Sequence, residues 1–183
     1  MSLRTYVLLA GAVLMVIAAS AASADAVVLP DTSQTTTMTA TVSEQCNITV
    51  PASFVWDVID VASDTASDDQ EVTITNIVLA APTKQLKLSI TANAASFTAP
   101  GGAGTTWSAT DVSWNNGGVW TTGTGATGTL ASGGTYNEVA TSTAGNATLS
   151  SAGLVFTLAD KATVTKSGDH TLICTWKVES IVP

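Results

Sequence analysis

Residues able to do chemistry are sparse in this chain. It has one histidine, His170, and two cysteines, Cys46 and Cys174. A single histidine excludes a multi-histidine zinc centre and leaves a serine triad only one base. His170 also follows a Ser-Gly-Asp turn, where a structural or solvated imidazole is the ordinary occupant. No nucleophile elbow, phosphate loop or Cys-x-x-Cys pair occurs, so the sequence argues against an enzyme.

Three other groups invite a functional reading. Asp57, Asp60, Asp64, Asp68, Asp69 and Glu71 crowd one stretch. Calcium takes hard oxygen ligands, and Asp64, Asp68, Asp69 and Glu71 are the candidate set; without EF-hand spacing, a solvated acidic rim fits as well. Trp107, Trp114 and Trp120 lie in or near glycine-rich sequence between Thr98 and Thr135. Exposed, they would stack on sugar rings as a glycan-binding face; buried, they would cover the end of a core. Asn47-Ile48-Thr49 and Asn146-Ala147-Thr148 match the N-glycosylation pattern.

The elements that must position these groups read as strands. Leu86, Leu88, Ile90 and Ala92 alternate with Lys87, Ser89 and Thr91, and Cys46, Ile48 and Val50 alternate with Asn47 and Thr49. Phe54, Trp56 and Val58 share a face in the next segment, and Val72 and Ile74 begin another strand. Further strands are read at 111–114, 136–141, 154–159 and 170–180, separated by Gly-, Pro-, Asn- and Asp-rich turns. About seven to nine short antiparallel strands predict an all-β domain, a two-sheet sandwich of immunoglobulin-like type. Leu172, Cys174, Trp176 and Val178 then share the inner face of the last strand. If Cys46 also points inward, a Cys46–Cys174 disulfide would tie the first core strand to the last, restricting the unfolded chain by about 5 kcal/mol. Two free buried thiols are the alternative.

The first 24 residues have the layout of a secretory signal peptide: Arg4, an apolar run, and Ala22-Ser23-Ala24 before the cut. The apolar run is short of the ~20 residues a bilayer crossing needs, so no membrane span is expected once the leader is cleaved. Export also makes an oxidised cysteine pair reasonable. The expected layout is a signal peptide at 1–24, an extended segment at 25–43 and a β-sandwich at 44–183. The mature chain keeps five lysines against fourteen Asp and Glu, a net charge near −9 that disfavours nucleic acid.

The segment before Cys46 alternates Met38, Ala40 and Val42 with Thr37, Thr39 and Thr41, and β-branched threonine favours an extended chain. It fits either the first strand of its own sandwich or a strand donated to a groove in a neighbour. Leader, Thr-rich extension, cysteine-bearing strand, β body and low charge together resemble secreted pilin-like, donor-strand filament subunits. That resemblance implies a cell-surface or extracellular structural protein that self-associates into polymers, with Met38, Ala40 and Val42 filling a partner's groove. The second expectation is a secreted glycan-binding module using the loop tryptophans.

Overall fold

The computed structural model describes residues 35–115, 120–145 and 148–183. The leader, the segment up to residue 34 and the Asn146 sequon lie outside the described residues. Alternating apolar and β-branched sequence gives twelve strands among the described residues, all in antiparallel ladders: β1 Gln45–Thr49, β2 Thr65–Ala66, β3 Gln70–Val78, β4 Gln85–Ala92, β5 Val112–Trp114, β6 Trp120–Thr121, β7 Gly123–Gly125, β8 Gly128–Thr129, β9 Asn137–Ser142, β10 Leu149–Leu154, β11 Phe156–Leu158 and β12 Cys174–Ile181. They form three four-stranded sheets, ordered β1-β3-β10-β6, β2-β11-β5-β8 and β12-β4-β9-β7.

Twelve strands replace the expected seven to nine because the chain changes sheets in short steps. β2 and β3 are separated by three residues and β10 and β11 by one, yet each pair is split between the first two sheets. Ser67, buried at the β2 end of one such step, accepts a hydrogen bond from the Phe156 N–H through its Oγ at 3.1 Å, and its own N–H donates to the Phe156 carbonyl at 2.8 Å. Those bonds satisfy backbone groups that the broken ladders leave over.

All three sheets contribute to one buried cluster. Val72, Ile74 and Leu149 come from the first, Val112, Trp114, Phe156 and Leu158 from the second, and Leu86, Leu88, Ile90, Val139 and Ala140 from the third. Trp114 meets the Phe156 ring edge-on at 5.9 Å, and Phe156 meets Trp176 at 6.3 Å. Gly128 is the residue opposite Trp114 in the β5–β8 ladder, and a Cβ there would overlap the indole. Glycine therefore lets the backbone lie directly against the ring.

One expected strand does not form. Phe54, Trp56 and Val58 are half-buried and alternate with exposed Val55, Asp57 and Ile59, so the period-two pattern is real, but the segment joins no sheet. It is fixed instead by side chains: Trp56 Nε1 donates to the Phe156 carbonyl at 3.0 Å, and Phe54 stacks on Phe156 at 4.8 Å.

The turn before β5 is held by charge. Ser108 and Asp111 form a capping box, and Lys161 Nζ lies 2.7 Å from Asp111 Oδ2. Burial pushes the Asp111 carboxyl up, yet the Lys161 hydrogen bond, the Ser108 N–H and the Lys161 charge together hold it below the ordinary aspartate value. A depressed carboxyl contributes stability that is fully present above its unfolded value and lost as pH falls through its folded value. Asp111→Asn should therefore flatten the fall of the urea midpoint between about pH 5 and about pH 2. An acid limb identical to that of the parent would mean that the pair contributes nothing to the fold.

Candidate functional site

The sheet edges formed by β1 and β12 are where burial fails. On β4, Leu86, Leu88, Ile90 and Ala92 are all at most 3 % exposed. On the adjoining β12, Cys174, Trp176 and Val178 keep the inward phase but are only half-buried, as is Leu172 just before it. The first sheet repeats this step: Val72 and Ile74 on β3 are fully buried, whereas Cys46 on β1 and Val50 just after it are half-buried and Ile48 is exposed. β12 pairs with β4 along Cys174–Ile181, and among the described residues no strand pairs with its other side.

A cleft of about 1010 Å³ opens there. One wall is the unpaired segment from Val50 to Val61, the other runs from Thr165 to Cys174 and Trp176, and Ile90, Phe97, Trp107 and Phe156 form the floor. Exposed apolar residues mark its mouth: Val55 at 76 % and Ile173 at 71 % line it, and Ile59 at 92 % sits between lining residues Val58 and Val61. A smaller hollow of about 120 Å³ lies at the other end of the gap, between Glu44, Gln45 and Cys46 on one side and Val178 and Ser180 on the other. Glu44 seals that end, accepting the Ala80 N–H at 2.7 Å and Lys84 Nζ at 2.8 Å. Those two donors, Lys84 foremost, hold its carboxyl below the ordinary value. An apolar trough beside a free ladder edge is suited to an extended peptide, which would gain backbone bonds from β12 and side-chain burial from the floor.

The expected disulfide is corrected by this arrangement, because Cys46 and Cys174 are both free thiols. Cys46 lines the small hollow beside Val178, whereas Cys174 lines the large cleft. Four strand positions, about 13 Å, separate Cys174 from Val178. A disulfide requires Cα atoms within about 7 Å. Burial pushes both thiols up, so neither is an activated nucleophile.

The glycan-face reading also changes. Trp107 and Trp114 are 5 % and 2 % exposed. Trp107 Nε1 donates to the Ala159 carbonyl at 2.9 Å, and both rings take part in the aromatic packing of the core. Trp120, on the short β6, is half-buried, so the three indoles form no exposed row. The acidic stretch does not converge either: Asp64 accepts the Asp160 N–H, Glu71 accepts the Thr73 hydroxyl, and among the described residues no three His, Cys, Asp or Glu side chains are grouped to hold a metal. This removes the geometric basis for calcium at Asp64, Asp68, Asp69 and Glu71. His170 is occupied structurally. Its Nε2 faces the Lys166 carbonyl at 3.0 Å and must be the donor, leaving Nδ1 to accept the Thr106 hydroxyl at 2.7 Å.

No family model, curated protein or solved structure matches this chain.

Residues 35–44 form no strand, and Met38 and Val42 are 90 % and 71 % exposed. Asn47 is exposed on β1, on the wet side expected of a modification site. Among the described residues, no helix is long and apolar enough to cross a membrane. Sequence reasoning missed the cleft as a site, although a signal was present: Val55, Ile59 and Ile173 are apolar at positions out of phase with their inward neighbours. A strand with one wet face has no use for them there.

Proposed function

We propose that this protein is an exported structural subunit that polymerises by strand exchange, residues 35–43 of one copy filling the cleft of the next. The finer fold belongs to the same reading: an immunoglobulin-like sandwich open along the gap between β1 and β12, where one further strand would fit. The observation that carries it is the loss of burial along that gap, with half-buried core side chains on both walls beside an unpaired edge. The length is compatible. Along β12 the cleft is lined from Leu172 to Trp176, about 13 Å, and Met38 to Val42 extends about 13 Å. Chemistry agrees too, since Met38, Ala40 and Val42 present apolar groups on one side while Thr37, Thr39 and Thr41 face water. The leader and the low lysine content favour a cell-surface or extracellular site. A glycan-binding face lacks the row of exposed indoles it would need, since Trp107 and Trp114 are buried.

The test is negative-stain electron microscopy of the mature chain, 25–183, beside a version lacking 25–42 and beside the full mature chain carrying Met38→Asp and Val42→Asp. Filaments are expected from the parent alone, with tryptophan fluorescence showing all three folded. Filaments from the variants would reject the assignment of this segment as donor. Monomers from the parent would reject polymerisation. In that case, Cys174 alkylated more slowly in the parent than in the Asp variant would assign the cleft to the chain's own segment.

A further inference from the structure

We infer that successive bodies in the polymer are in direct contact, the β3–β4 turn of the donor packing on the apolar mouth of the acceptor's cleft; this rests on the strand-exchange reading. The reason is the tether. Val42 is the last apolar residue of the donor segment, and Glu44 is already clamped to its own body through Ala80 and Lys84. Only Ser43 lies between them, so the Val42 and Glu44 Cα atoms are at most about 7 Å apart even when the chain is fully extended. A Val42 seated in the cleft therefore holds the donor's turn at residues 79–84 against whatever surrounds the cleft entrance.

The entrance is fixed by the two cavities. The end beside Val178 and Ser180 narrows to about 120 Å³ and is occupied by the acceptor's own Glu44. The wide part is the large cleft, whose lining includes Leu172 and the 76 % exposed Val55. Val42 thus sits at the wide end and Met38 lies deeper, so the donor runs antiparallel to β12. The rim it meets is Val55, Ile59 and Ile173, whose exposure has no other explanation in the fold. The donor offers Ala80, Pro82 and Thr83, all exposed and uncharged. Tail base and cleft mouth are at opposite ends of the gap, so the contact is heterologous, head to tail, and uses different surfaces on the two copies. The polymer is a stiff rod, not a string of beads.

The experiment uses the full mature chain with Cys46→Ser and Cys174→Ser, adding Ile59→Cys and Thr83→Cys, and treats filaments with a short bis-maleimide. A covalent ladder of multimers is expected, lost when a Gly-Ser spacer is inserted between Ser43 and Glu44, which also makes the filaments flexible. A second pair, Val55→Cys with Pro82→Cys, guards against a single position disturbing assembly. Filaments that form without a ladder in either pair overturn the body contact and leave strand exchange standing. Absence of filaments from the parent chain overturns both.

Discussion

Trp114→Ala should remove about 3–5 kcal/mol of folding stability, read as a lower urea midpoint. The ring is 2 % exposed, carried on β5 between β11 and β8, with Phe156 in an edge-on contact and the Gly128 backbone opposite. Nothing beside it can collapse into the vacated space, because β8 is already held close by glycine, so the cavity persists and the full cost is felt. Against a total of roughly 5–15 kcal/mol for a domain, this brings the protein near the unfolding threshold. Trp120, half-buried on a two-residue strand, is the internal comparison, and its alanine variant should lose distinctly less. Equal losses at the two positions would mean that Trp114 is not the centre of the core.

Cys174→Asp should leave the monomer folded and abolish polymers. The position is half-buried and faces the cleft, so an unpaired carboxylate there stays hydrated while the cleft is empty. Insertion of a strand would seal it among Trp176, Phe54 and the donor's apolar groups, where burying an unpaired charge costs several kcal/mol. A cost of about 3 kcal/mol already shifts the exchange equilibrium more than a hundredfold. Sedimentation of polymer from soluble protein provides the measurement, with Cys174→Ser as a neutral control. Polymer yield unchanged in the Asp variant would show that the cleft receives no strand.

Much of the strand content was legible because burial on one face imposes period two. Leu86 to Ala92 and Val72 to Ile74 fell on strands with the inward phase expected of them. The same rule misled at Phe54–Val58, where alternation is genuine but the backbone has no ladder partner. Side-chain period reports which face is wet, not whether a neighbour is hydrogen-bonded. The tryptophans failed for a related reason. Glycines near Trp107 and Trp114 suggested open loops, whereas Gly128 is small so that a strand can lie directly on an indole.

The sequence by itself determined the all-β class, the inward phase of most strands and the poverty of catalytic chemistry, all properties of local pattern and residue type. Tertiary structure alone decided that Cys46 and Cys174 stand apart, that two indoles are core, and that β1 and β12 border an open gap. Those facts depend on which edges meet across the fold, and pairing between strands as distant in sequence as β4 and β12 leaves no periodic trace in either one.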